Sequence, residues 1–230
     1  MIHNEIYLDN PIDLMHLVHK AFMAHSVRTE NLARDSVDGG DLLAFKESFE
    51  QWAKLVRYHM HTEDRYMTTP LVESQSARQN ETEHEELREG ASNMEGILVG
   101  GDTYGLSRYV NAVMQALDEE QHNEFSLSIQ EVEKYLKQAI GEERVVARTR
   151  RHLYGKAMAL RMLEFDHFEN EEAFVITQVR ENMTVDQQME IARHLLIDSE
   201  SENPRWIIDW LFSELDADDR QIISSLESRF

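Results

Sequence analysis

Three prolines and nine glycines in 230 residues leave long stretches with nothing to interrupt a helix. Inside a helix a proline costs about 3 kcal/mol and a glycine about 1 kcal/mol. Runs that avoid both, and that repeat apolar residues every three or four positions, are therefore free to form long helices. No segment alternates apolar and polar residues in the manner of a half-buried strand, and there are no tandem repeats. The fold class read from this pattern is all-α.

The breakers that are present sit where helices should begin or end. Asn10-Pro11 predicts a first helix to about residue 34, and "DSVDGGD" a break after it. A second helix is predicted from about Asp41 to Met67, stopped by "TTP", and a third over about 76–98, closed by "GGDTYG". Residues 106–140 have helical periodicity but no obvious ligand. A long helix is expected over about 142–180, then shorter ones near 184–197, 204–214 and 216–228. "TVDQQ", "ENPRW" and "DADDR" supply their start signals. Short links between long helices predict an antiparallel bundle.

Charge and composition then narrow the chemistry. Forty-four acidic residues against twenty-three basic ones give a formal charge of −21, which argues against nucleic acid or an anionic membrane as partner. With no cysteine, any metal must be held by histidine and carboxylate, a donor set for iron, manganese or zinc. The N-terminus lacks a basic start and an apolar run, and no long apolar stretch follows. The expectation is a cytoplasmic protein without a membrane span.

The decisive residues are polar ones that fall on apolar stripes. In the second helix Phe45, Phe49, Trp52, Leu55, Val56, Tyr66 and Met67 share one sector, and His59 and Glu63 lie in its middle. They are four apart, one turn above the other. His61 and Asp64 point away. In the long helix His167 and Glu171 repeat the arrangement, in line with Leu153, Leu160, Leu163 and Phe174, with Glu169 and Glu172 outward. One such pair in an acidic chain reads as a surface pair. Two pairs on the inner stripes of separate helices read as a site, because a buried carboxylate is costly unless paired or bound to metal. His19 lies among Met15, Val18 and Phe22, and His84 among Ala77, Leu87, Ala91 and Leu98. Four inward histidines and two carboxylates suit two metal ions bridged by the carboxylates.

The segments "DLMHLVHKAF", "HMHTEDRYMTTPL", "EHEEL" and "HFENEEAFVI" resemble, in order, the metal-binding segments of hemerythrin-like (HHE cation-binding) domains. The tail is similar to that of longer bacterial members. The resemblance implies a hemerythrin-like antiparallel four-helix bundle over 1–180, with a helical insertion between helices 3 and 4 at about 99–142. A C-terminal helical extension over 181–230 would pack on the bundle. It implies a non-haem centre of two iron ions with an oxo or hydroxo bridge, for which manganese or zinc could substitute. Glu63 and Glu171 would bridge, and His19, His59, His84 and His167 would be terminal ligands. Oxygen-carrying members have a further histidine four residues after the third-helix ligand, and here that place is Arg88. His16, His25 and His152 are the substitutes to consider. His152 lies roughly 20 Å from His167 along the same helix.

The function expected from this set is binding of, or reaction with, dioxygen, peroxide or nitric oxide. The alternatives are a di-iron oxygenase or peroxidase acting on a small organic substrate, and a non-catalytic iron- or oxygen-sensing module. The residues leave open whether the protein is an enzyme and whether it assembles as an oligomer.

Overall fold

The computed structural model describes residues 8, 10–35, 42–71, 121–134, 136 and 147–230. The helix expected over 76–98, with His84, lies outside them. The described residues form helices and connecting turns, with no strand among them.

A short turn at Pro11–Asp13, pinned by the Asp13 amide to the Asn10 carbonyl at 3.1 Å, opens the first helix, α1, Leu14–Asp35. The second, α2, spans Leu43–Glu63, passes through a π turn at Asp64–Thr68 and remains helical to Leu71. "TTP" therefore does not stop it. A π turn bonds i to i+5 and widens the helix, which gives slack just ahead of Pro70, whose nitrogen has no hydrogen to donate. Residues 121–134 form α3. The long helix α4, Ala147–Asn170, passes through a second π turn, Glu171–Val175, into α5, Ile176–Asn182.

Interhelical bonds fix the directions. His25 of α1 reaches the Ser48 carbonyl of α2 at 2.9 Å. Asp64 and Arg57 of α2 meet His122 and Glu133 of α3, at 2.9 and 2.7 Å. Gln121 and Glu131 of α3 meet Asn170 and Lys156 of α4. Glu30 of α1 meets Arg161 of α4, and Asp13 meets Arg180. With His19 of α1 lying against His59 of α2, ring centroids 5.6 Å apart, the numbers run in opposite senses in each pair. Among the described residues these four helices therefore alternate around one core, with α1 diagonal to α3 and α2 diagonal to α4. Of the helical insertion expected over about 99–142, the helix 121–134 forms a corner of the described bundle, and the stretch 106–140, read as carrying no obvious ligand, brings in His122. Phe125, Ile129, Val132 and Leu136 are buried there, and His122 lies on the same stripe.

The apolar stripes behave as their spacing requires. Phe22, Phe45, Phe49, Trp52, Leu55, Leu153 and Leu160 are all buried. Truncating one of these phenylalanines would cost about 3–5 kcal/mol. Phe174, expected inward, is instead 40% exposed, while Val175, Ile176 and Val179 are buried. The π turn inserts an extra residue and so rotates everything beyond it.

Of the last three helices, α6 (Val185–Leu196) packs on α2 and the opening turn, α7 (Trp206–Glu214) on α1, and α8 (Ala217–Glu227) on α7. Thr184 and Gln187 form a capping box for α6, and Asp216 accepts from the Asp218 and Asp219 amides to cap α8. Trp210 enters the core against Phe22, with ring centroids 4.7 Å apart. Its indole donates to His25 Nδ1 at 2.9 Å. The Tyr58 hydroxyl donates to the His194 carbonyl at 2.7 Å, and Tyr66 stacks on the His194 ring.

Candidate metal centre

Two helices carry the same local device. In α2, His59 and Glu63 stand one turn apart immediately before a π turn. In α4, His167 and Glu171 do the same, Glu171 being the first residue of its π turn. All four side chains are buried, with both carboxylates fully shut from solvent. α1 brings in His19 and α3 brings in His122, both buried.

These six side chains form two overlapping sets. The ligand atoms of His19, His59, Glu63 and Glu171 lie within 4.8 Å of one another, as do those of Glu63, His122, His167 and Glu171. The two carboxylates are common to both sets. Glu63 divides between them, Oε1 lying 2.8 Å from His59 Nε2 and Oε2 3.6 Å from His122 Nε2. Glu171 Oε2 lies 3.2 Å from His19 Nε2 and 3.7 Å from His167 Nε2.

The residue after each buried glutamate turns back to hold a histidine from a neighbouring helix. Asp64 Oδ1 is 2.9 Å from His122 Nδ1. Glu172 Oε1 is 2.8 Å from His19 Nδ1, and its Oε2 is 2.9 Å from His16 Nδ1. A carboxylate on Nδ1 fixes the ring and directs Nε2 inward, which is how metal-ligating histidines are commonly oriented. Asp64 and Glu172 were expected to face solvent, and their side chains are 53% and 36% exposed. They do so while anchoring the buried rings.

The electrostatics of the cluster pull its members in different directions. Burial drives His59 down to about 3. Burial, and then the neighbouring His122, His19 and His59, hold His167 well below its ordinary value. Burial also opposes a charge on His19, but Glu171 and Glu172 outweigh it and lift that ring to about 9. Burial, reinforced by Glu63, pushes Glu171 up. His59 Nε2 and both Glu171 oxygens make no hydrogen bond of ordinary geometry. Two adjacent buried carboxylates facing imidazole nitrogens are costly unless a cation compensates them. These donors fit divalent iron, manganese or zinc.

The other histidines have different work. His25 Nε2 donates to the Ser48 carbonyl while Nδ1 accepts from Trp210, a neutral ring committed to packing. His16 is exposed at the rim and His152 is exposed far up α4. None of the three joins the cluster. His122 was missed, although its spacing to Phe125, Ile129 and Val132 put it on an apolar stripe. Glu164 was missed too. It is buried in α4, three residues before His167, and accepts from Trp52 Nε1 at 2.7 Å.

Fold and cluster together define a helical-bundle protein with a candidate metal site in its core. The hemerythrin HHE cation-binding domain family model matches residues 10–120, and the chain carries a hemerythrin-like domain. His19, His59 and Glu63 lie within the match, and so does His84. His122, His167 and Glu171 lie beyond it. No curated protein and no solved structure matches the chain. Among the described residues, no helix is long and apolar enough to cross a membrane.

Proposed function

We propose that the cluster holds two metal ions, iron in the working protein, and that the centre binds or reacts with dioxygen, peroxide or nitric oxide. In this reading His19 and His59 would hold one ion and His122 and His167 the other, with Glu63 and Glu171 available to both. The observation that carries it is the sharing of both carboxylates by two sets of histidines, with the two oxygens of Glu63 turned to different sets. When bound, reduced iron ions supply electrons to a diatomic ligand or to peroxide.

The chain's own residues supply the rest. Asp64 and Glu172 hold the His122 and His19 rings in one orientation. Phe168 stacks on His19 at a centroid distance of 4.0 Å, and Phe22 lies 5.1 Å from His59. Phe125 covers His167 at 5.4 Å. These rings exclude bulk water. A larger cavity, lined by Arg28, Asn31, Leu32, Leu42 and Phe45, lies at the far end of α1 and α2. Phe45 is nearly four turns from His59 along α2, about 20 Å. That distance favours a small ligand at the cluster over an organic substrate lodged in the cavity.

The test is metal analysis of protein produced with iron, with its near-ultraviolet spectrum. Two irons per chain and an oxo-bridge band are expected, with the band changing on addition of peroxide or nitric oxide. Far less than two irons and no band would refute the reading. Turnover of an organic substrate with oxygen consumption would instead favour the oxygenase or peroxidase alternative. Metal-dependent partner binding without redox change would favour the sensing module.

A further inference from the structure

Glu164 has no place in the ligand sets, yet it is as fully shut from solvent as Glu63 and Glu171. It lies one turn from His167 on α4, about 4.5 Å along the axis. Trp52 Nε1 donates to its Oε1 at 2.7 Å. Its Oε2 is buried and makes no hydrogen bond of ordinary geometry. Burial lifts the carboxyl to about 7, against the pull of the Ser26 hydroxyl, the Trp52 indole, His19 and Arg161. His19 from α1 and Arg161 from its own helix are the charged groups that face it. Ser26 and Trp52, from α1 and α2, are neutral.

Ser26 and Trp52 also line a small cavity, with Thr29, Phe49, Leu160 and Arg161. Its volume is about 10 Å³, close to the space needed by one water molecule. Arg161 is one-third exposed and paired with Glu30 at the surface. Ser26 and Trp52 thus touch both Glu164 and the cavity, which the part-exposed Arg161 also lines. Ser26, Trp52 and Leu160 each stand seven residues from the ligand of their own helix, on the same side of the centre.

We propose that Glu164 is the proton-carrying group of the centre, a buried carboxyl linking the His/Glu cluster to solvent through this water-sized cavity. The role rests on the metal reading above, because reduction of peroxide to two waters consumes two protons together with two electrons from the iron ions. Glu164 gives a proton toward the cluster and recovers one from the cavity side.

The test begins without metal or turnover. Infrared spectra of the metal-free protein near pH 6 should show a protonated buried carboxyl band that shifts within seconds in D2O and is absent from Glu164→Gln. That variant keeps the volume and an acceptor for Trp52. No band, a band that persists unchanged in Glu164→Gln, or one that fails to exchange, overturns the proposal. Glu171, also pushed up by burial, contributes a band of its own, so the comparison with a variant decides, and Glu164→Asp replaces Glu164→Gln if that variant does not fold. Loading with zinc, which is redox-inert, should then move the band. Zinc that binds while the band stays fixed overturns the role of Glu164 alone. Zinc that does not bind overturns the metal reading and this role with it. In the iron-loaded protein, Glu164→Gln should slow peroxide consumption on the order of 10-fold or more, with metal content unchanged and partial rescue by Glu164→Asp. An unchanged rate overturns the proposal.

Discussion

The two halves of the cluster are built alike and settled differently. Each has a His-x-x-x-Glu pair, a π turn at its glutamate, and a following acid that grips a histidine from a neighbouring helix. In the α4 half the gripping acid is Glu172, which holds both His16 and His19. In the α2 half it is Asp64, shorter, more exposed, and committed to His122. Glu63 spreads its two oxygens over both halves, whereas Glu171 presents one oxygen to His19 and His167 together. The difference teaches that the α1–α4 side is ordered by charge, with Glu171 and Glu172 lifting His19 to about 9 against burial. On the α2–α3 side burial instead holds His59 down at about 3, leaving a neutral ring.

Removing a shared carboxylate should abolish the comparison altogether. Glu63→Gln is expected to reduce metal content from two per chain to nearly none, as read by elemental analysis; retention of two would mean the glutamate is no bridge. Removing one histidine from each half comes next. His59→Ala and His122→Ala should each leave about one ion, and equal retention of two by either would take that residue out of the centre. His84→Ala, run beside them, decides whether the family-like "EHEEL" adds a further ligand.

The gripping acids should give smaller effects and reveal the asymmetry. Glu172→Gln and Asp64→Asn are each expected to weaken metal binding by about 10- to 100-fold, with Glu172→Gln the greater loss. Competition with a chelator measures this, and the reverse order would contradict the account. The last effect lies outside the halves and falls on stability, not on metal content. Glu164 has a folded value near 7, above its ordinary 4.5. The folded protein therefore binds that proton more tightly than the unfolded chain, and stability should fall as pH rises from about 4.5 to 7. Glu164→Gln should be more stable than wild type at pH 8 by up to about 3 kcal/mol, with the gap closing toward pH 5. Denaturant unfolding across that range checks the sign.

Much of this centre was legible because buried polarity violates a simple expectation. His59 and Glu63 stood out against Phe49, Trp52 and Val56, and His167 with Glu171 against Leu153 and Leu160. His122 was obscured by its segment, where the resemblance had already supplied a third-helix histidine at His84. The same stripe test applied to residues 122–136 finds it. Asp64 and Glu172 were placed outside by a 100° rotation per residue, and there they lie; what that rule misses is their reach back to neighbouring histidines and the π turn that each enters. Nothing in "EDRYMT" or "NEEAFV" announces such a turn, because the wider spacing arises from tertiary packing around the glutamates. Phe174 was misplaced for the same reason. The closing of α3 against α2 and α4 depends on contacts far apart in sequence, such as Arg57 with Glu133, which local periodicity does not encode.

The central claim is that two ions share Glu63 and Glu171. Anomalous scattering at the iron edge, from crystals of iron-loaded protein, addresses it directly. The account predicts two peaks about 3.5–4 Å apart, one beside His19 and His59, the other beside His122 and His167, with both glutamates between them. A single peak, or peaks removed from those glutamates, would contradict it.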